Sequence, residues 1–317
     1  MYAENSNTRK SRLFLISLPA LAFLMIFVCG LACIFIFSFW HFEQSKRIAM
    51  PDICIENYVR FLGDPFFYQF LWRTMRIGAI TTLCCLAMGY PVAYVQARSR
   101  NLTVKRLLMM AVVVTALIGV VNRSYSWLIL LGTDGPINYV LMKLGLDSGT
   151  ISAIFGSGAD PVVKTPWTLL FNEFAVVVGL VHRLLPFMII FLSISIENVD
   201  VSLENVSRSL GMSPLGTFFK VTLPLSLPGA FAGSLFVFGL SASDYVMPSL
   251  LGGLRVKTMS NLIYENALMV MNYPFGAAIA FIMMAMIVIA FIGVVAAFRV
   301  YRWNARRRSL FKEDCPC

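Results

Sequence analysis

LENVSRSLGMSPLGTFFKVTLP, residues 203–224, is an amphipathic segment set between two strongly apolar ones. Leu203, Val206 and Leu210 recur at helical spacing on one face, while Glu204, Ser207, Arg208 and Ser209 fall elsewhere. Gly211 interrupts the pattern, and Pro214 is placed to open a second helical turn. Leu215, Phe218 and Phe219 form another apolar group, which Pro224 is expected to stop. Two short helices hinged at a glycine at a membrane surface would present an apolar ridge, the shape that docks into a groove on a soluble partner. The same pattern also suits a connector lying on lipid.

The flanking sequence sets this segment in a membrane. The chain has 317 residues, of which 58% are hydrophobic and only 13% charged. That is too apolar for a soluble globular protein and predicts an all-α polytopic membrane protein. A net charge of +10 would suggest a nucleic-acid partner in a soluble chain, but here the basic residues gather on one side of the membrane, so no nucleic acid is implied. Most of the seven cysteines, Cys29, Cys33, Cys54, Cys84, Cys85, Cys315 and Cys317, lie in apolar runs, which excludes a disulfide framework. Cys315-Pro-Cys317 is too short to be a metal site, and no zinc spacing, P-loop or catalytic triad occurs. Neither a metal, a cofactor nor an enzymatic activity is expected.

Six spans are predicted: Leu13–Trp40, Phe66–Ala97, Leu107–Leu131, Trp167–Ser195, Leu225 to about Met247, and Tyr273–Val300. The first is too long for a signal-peptide core and reads as an uncleaved anchor. Residues 1–12 then form a basic cytoplasmic end, 13–65 the first span with an external segment, 66–300 the core, and 301–317 a basic tail. Gly132–Pro166 is a loop, and a short helix is expected near Leu262–Leu268. With both ends inside, inner segments hold fifteen basic residues and outer segments seven, which favours that orientation and puts residues 203–224 in the cytoplasm.

Charge at membrane depth needs a reason. Arg123, Glu173 and Asp244 are each expected toward the outer side, where one cation and two carboxylates can share a layer. Such a layer reads as an ion pair locking helices together or as the lining of a path. Asp244-Tyr245 is the better candidate for a path, since Pro248 and Gly252-Gly253 predict a helix break just beyond. Tyr125, Trp127, Trp167 and Tyr273 read first as interfacial belt residues, with a cation–π role open to Tyr125 and Trp127. His182 suits a core hydrogen bond, and Arg183 can snorkel inward or pair across a subunit interface. Arg73 and Arg76 anchor at the outer interface.

Gly211, nine residues, then Val221-Thr222-Leu223-Pro224 resembles the "EAA" loop of ABC-importer permeases, E-A-A, three residues, G, nine residues, I-x-L-P. The places of the E-A-A triplet are held by Asn205, Val206 and Ser207, with Glu204 one position early. RSYSWLILLGTDGPIN at 123–138, GLVHRLLPFMI at 179–189, SASDYVMPSLLGG at 241–253, NYPFGAA at 272–278 and GYPVAY at 89–94 are similar to segments of spermidine/putrescine permeases. The resemblance implies the MetI-like fold of type I ABC importers, with six transmembrane helices in a bacterial inner membrane. It implies that the loop at about 197–224 couples to a cytosolic ATPase through Glu204, Asn205, Val206, Ser207, Leu210, Gly211, Leu215 and Pro224. It implies four kinds of partner: a second permease subunit in a heterodimer, two ATPase subunits, an external solute-binding protein and the lipid bilayer. Asp244, Tyr245, Arg123, Tyr125, Trp127 and Glu173 are then the candidates for the translocation path. The alternatives are a permease of the same fold for an opine, amino-acid derivative or other solute, and an ion-coupled carrier or channel working alone.

Overall fold

A computed structural model of the chain describes residues 6–43, 48–144 and 167–313. Cys315 and Cys317 of the tail, and residues 145–166 of the expected Gly132–Pro166 loop, lie outside them. The described elements are α1 (Ser6–Phe37), β1 (Trp40–Glu43), β2 (Ile48–Ile53), α2 (Glu56–Gly63), α3 (Pro65–Arg98), α4 (Leu102–Leu117), α5 (Val120–Leu130) and α6 (Pro136–Lys143). They continue with α7 (Glu173–Glu197), α8 (Val201–Ser209), α9 (Pro214–Ser243), α10 (Met259–Tyr264) and α11 (Tyr273–Glu313). Five helices among the described residues are long and apolar enough to cross a membrane, and α4 with α5 makes a sixth if that bent pair is one span.

Two compact units divide the chain. The first takes residues up to Phe67 together with Leu262–Met286. In it α1 is exposed from Leu18 to Ile36, as a helix facing hydrocarbon should be. An antiparallel hairpin follows, pairing Trp40 with Ile53 and Glu43 with Ile48, with a register shift between Trp40 and His41. Asn57, buried in the first turn of α2, donates its amide to Ser38 O at 2.9 Å and Trp40 O at 3.0 Å, and so pins α2 to the hairpin. Phe61 stacks on Phe67 with centroids 5.0 Å apart, Phe67 meets Phe275 edge-to-face at 5.6 Å, and the Arg60 guanidinium lies 4.7 Å from the Phe275 ring.

The second unit is built around α7 and α9. Both are apolar nearly all round, which is the pattern of a buried helix rather than a surface one. Leu184, Met188, Leu192 and Ile196 of α7 pack with Ala230 and Val237 of α9, and with Cys85, Tyr90 and Ala93 of α3. Small residues allow the approach. A Cβ on Gly229 would stand 2.1 Å from Ser195 Cβ, and Ser195 Oγ donates to Ser226 O at 3.0 Å. Gly229→Ala is therefore expected to lower stability by about 1–3 kcal/mol, read as a fall in the melting temperature of the purified protein. An unchanged melting temperature would mean that α7 and α9 do not meet at this glycine.

Three features depart from the sequence expectation. The third span is not one rod. Ile118 and Gly119 adopt extended backbone, and α5 leaves α4 at 95°. Pro224 does not stop its helix, because a π turn at Phe218–Thr222 precedes it and the Leu223 N–H reaches back to Phe218 O. The wider turn makes room for a proline ring that would otherwise press on the carbonyl four residues back. Part of the predicted Gly132–Pro166 loop is α6, which opens with Pro136 in its first turn. The expected break comes at Asp244, which ends α9 with extended backbone, and the expected short helix near Leu262–Leu268 is α10 with a π turn over Glu265–Met269; a further π turn, at Pro248–Gly252, lies between them.

Candidate functional site: the exposed ridge and the buried charges

The segment at 203–224 folds as two helices around a glycine. Asp200 caps α8 by accepting the Ser202 N–H at 2.9 Å, and that backbone donor holds its carboxyl below the usual range. The α8 helix ends in the exposed Gly211, whose φ of +85° lies in the left-handed region, with its N–H donated to Arg208 O at 2.9 Å. Ser213 then caps the next turn by accepting the Gly216 N–H at 3.1 Å, and Pro214 starts α9.

This corner exposes a row of apolar side chains and buries a carboxylate. Leu203, Val206, Leu210, Leu215 and Phe219 are exposed, Leu210 to 81%. Glu204 and Ser207 are buried, Glu204 to 3% exposure. The Glu204 carboxylate accepts Arg98 Nε at 3.0 Å and Thr222 Oγ1 at 2.8 Å, and the Arg98 guanidinium also donates to Val199 O at 2.8 Å. Ser207 Oγ lies 3.2 Å from Thr217 Oγ1. Glu204 and Ser207, expected among the residues facing a partner, are instead internal struts. Asn205, Val206, Leu210, Gly211, Leu215 and Pro224 do face outward. Sequence reasoning misses Arg98 and Thr222. Arg98 reads there only as one more basic residue of the inner segments, and nothing in the spacing joins it to a glutamate so far along the chain.

The expected layer of Arg123, Glu173 and Asp244 separates into three environments. Glu173, first residue of α7, takes Arg73 Nε at 3.3 Å and also the Arg76 guanidinium. Asp244 is buried and pairs with Arg183, not with Arg123. Its other oxygen accepts the N–H groups of Val246 at 2.8 Å and Met247 at 3.1 Å, and its carbonyl accepts Ser260 Oγ at 2.7 Å. Arg183 follows Glu173 by ten residues, so Asp244 sits about 15 Å farther along α7 than the Glu173 cluster, near the helix centre. The helix α9 begins in the ridge at Pro214 and ends at Asp244, beside the middle of α7. Arg123, buried to 3% exposure, folds back on the bend, with its guanidinium donating to Thr115 O and to Ile118 O at 3.3 Å. These are carbonyls that the broken helix leaves without helical partners. Trp127 Nε1 donates to His182 Nδ1 at 3.1 Å, so His182 is a core hydrogen-bonder as expected. Tyr125 and Tyr245 are exposed, and Trp127 is half-buried.

Comparison with known proteins bears on this geometry. Residues 12–310 match the family described as "Binding-protein-dependent transport system inner membrane component". The chain is 32% identical over 257 residues to the spermidine/putrescine transport system permease protein PotB of Haemophilus influenzae, covering 80% of this chain and 83% of that protein. It is 34% identical over 224 residues to PotB of Escherichia coli, covering 71% and 75%. Among solved structures, it superposes with a TM-score of 0.71 and 15% identity on a chain of a bacterial ABC transporter involved in the import of the acidic polysaccharide alginate, covering 92% and 96% of the two chains. That likeness shows the fold.

Proposed function

We propose, for a chain that belongs to the binding-protein-dependent transport system inner membrane component family, that it is the permease of an ATP-driven importer for spermidine, putrescine or a similar small organic cation. Such a chain is a transport component, not an enzyme, and it is a multi-pass protein of the inner membrane. The observation that carries the reading is the exposed apolar row and buried carboxylate of the 203–224 corner. A helix hairpin with leucines outward and its glutamate inward is wrong for water and right for a hydrophobic groove on a soluble protein. Two cytosolic ATPases, an external binding protein and a second, non-identical permease complete the assembly. Docking at the ridge transmits ATP-driven closure to spans that open alternately to each side. Asp244, Tyr245, Arg123, Tyr125, Trp127 and Glu173 contribute to the path, with Arg183 as the partner of Asp244.

Uptake by vesicles carrying the assembled complex tests this. Radiolabelled spermidine should enter only when ATP and loaded binding protein are both supplied. Entry that follows an ion gradient without ATP would replace the proposal with a carrier. The distribution of basic residues supports a topology with both termini in the cytoplasm. In intact cells treated with a chelator, a membrane-impermeant maleimide should therefore modify the half-buried Cys54 and spare Cys315 and Cys317. Modification of the tail cysteines would reverse the topology.

A further inference from the structure

We propose that His41, Cys54 and Glu56 hold a divalent transition metal of the zinc class on the hairpin and helix that follow α1. Three elements bring them together: His41 lies on β1, Cys54 just beyond β2, and Glu56 is the first residue of α2. Their ligand atoms all lie within 4.8 Å of one another, and His41 Nδ1 is 3.0 Å from Glu56 Oε2. Bonds of about 2.0–2.3 Å place tetrahedral ligands about 3.3–3.8 Å apart, so a small rotation of half-buried or exposed side chains closes the site.

The scaffold beneath these side chains is fixed. Cys54 N–H donates to Phe39 O at 2.8 Å. The register shift between Trp40 and His41 re-aims the histidine, as bulges do. Asn57 fastens α2 to Ser38 O and Trp40 O. An acidic residue in the first turn of α2 beside a histidine has an ordinary electrostatic explanation. The convergence of a thiol on the same point has none.

The donor set selects the metal. Thiolate, imidazole and carboxylate together suit zinc, whereas calcium and magnesium take oxygen ligands. Cys54 binds as thiolate and releases its proton to solvent. Thiolate and carboxylate together neutralise the divalent charge. Three protein ligands leave a fourth position open, and an adjoining cavity of about 180 Å³, lined in part by His41, Glu56, Arg60 and Asn272, has room for water or a small anion there.

Peptide-resolved alkylation of the full chain in detergent, with and without Zn²⁺, tests the site on the unaltered protein. Zn²⁺ should slow modification of Cys54 at least about tenfold, because a coordinated thiolate is no longer free to react. His41→Ala and Glu56→Gln should each remove most of that protection. With Co²⁺ in place of Zn²⁺, the difference spectrum between wild type and Cys54→Ser should show a thiolate-to-cobalt charge-transfer band saturating at one equivalent. Alkylation is read at Cys54 itself, so the test holds even where a Cys54→Ser variant accumulates poorly. Equal alkylation rates with and without Zn²⁺, or protection that survives both His41→Ala and Glu56→Gln, would overturn the proposal.

Discussion

Gly211→Pro is expected to cut uptake per assembled complex by at least about tenfold, with the chain still present in the membrane at close to its normal amount. Gly211 has a φ of +85°, while proline is confined near −65°. The substitution also removes the N–H that Gly211 donates to Arg208 O. No atom lies within 4 Å of where a Cβ would stand, so the damage is to backbone geometry and stays local. It falls between Leu210 and Leu215, two of the most exposed leucines of the ridge, and changes their relative direction. Gly211→Asn makes the matching control, because asparagine tolerates the left-handed region and should keep most of the uptake. Uptake, membrane content and ATP hydrolysis are to be measured on the same preparations. Disappearance of the proline variant from the membrane would make Gly211 a folding residue and not a coupling one.

The second large effect concerns the buried pair. Asp244→Asn leaves the Arg183 guanidinium without its carboxylate and is expected to destabilise the protein by about 3–5 kcal/mol. The amide oxygen of asparagine can still accept the Val246 and Met247 N–H groups, so the cap is kept and the loss isolates the charge. Adding Arg183→Met should restore most of the assembled protein. Adding Arg123→Gln should restore none, because Arg123 is spent on the carbonyls of Thr115 and Ile118. Uptake then separates packing from transport. The Arg183→Met/Asp244→Asn double variant is expected to assemble yet move solute at under about a tenth of the wild-type rate per complex, the loss that follows when a path residue is removed. Recovery of uptake together with assembly would reduce the pair to a lock between helices.

These pairings mark the boundary of what the chain discloses before it is folded. Periodicity and length locate the spans, because the bilayer demands about twenty apolar residues whatever their neighbours. The hinge at Gly211 and the break after Asp244 are legible because glycine and proline act on their own backbone. The choice of Arg183 over Arg123 is not legible. Both are single cations in apolar runs, and the choice depends on which of them lies beside the end of α9. The 95° bend is signalled only by Gly119, a residue that many straight helices tolerate. The π turn that lets a helix run through Pro224 has no residue signature of its own. The inward face of Glu204 escapes for another reason. A helical wheel separates polar from apolar sides and does not say which side meets protein, and here Glu204 turns inward while Leu203, Val206 and Leu210 stay exposed. His41 and Cys54 lie on opposite sides of a hairpin, at a spacing that matches no zinc motif.

The helix α9 runs without a break from Pro214 to Ser243, thirty residues, or about 45 Å at the rise of an α-helix. Leu215 and Phe219 stand at one end of this rod and Asp244 closes the other. Pro224 and Pro228 each withhold an N–H from its ladder, so a push or a twist at the exposed end would reach the buried one through a helix that can bend at those two places. The π turn near its base keeps the Leu223 N–H bonded to Phe218 O. On the proposed coupling, a displacement of the Leu215 end would be carried to Asp244 and its partner Arg183 by the one helix that holds both ends.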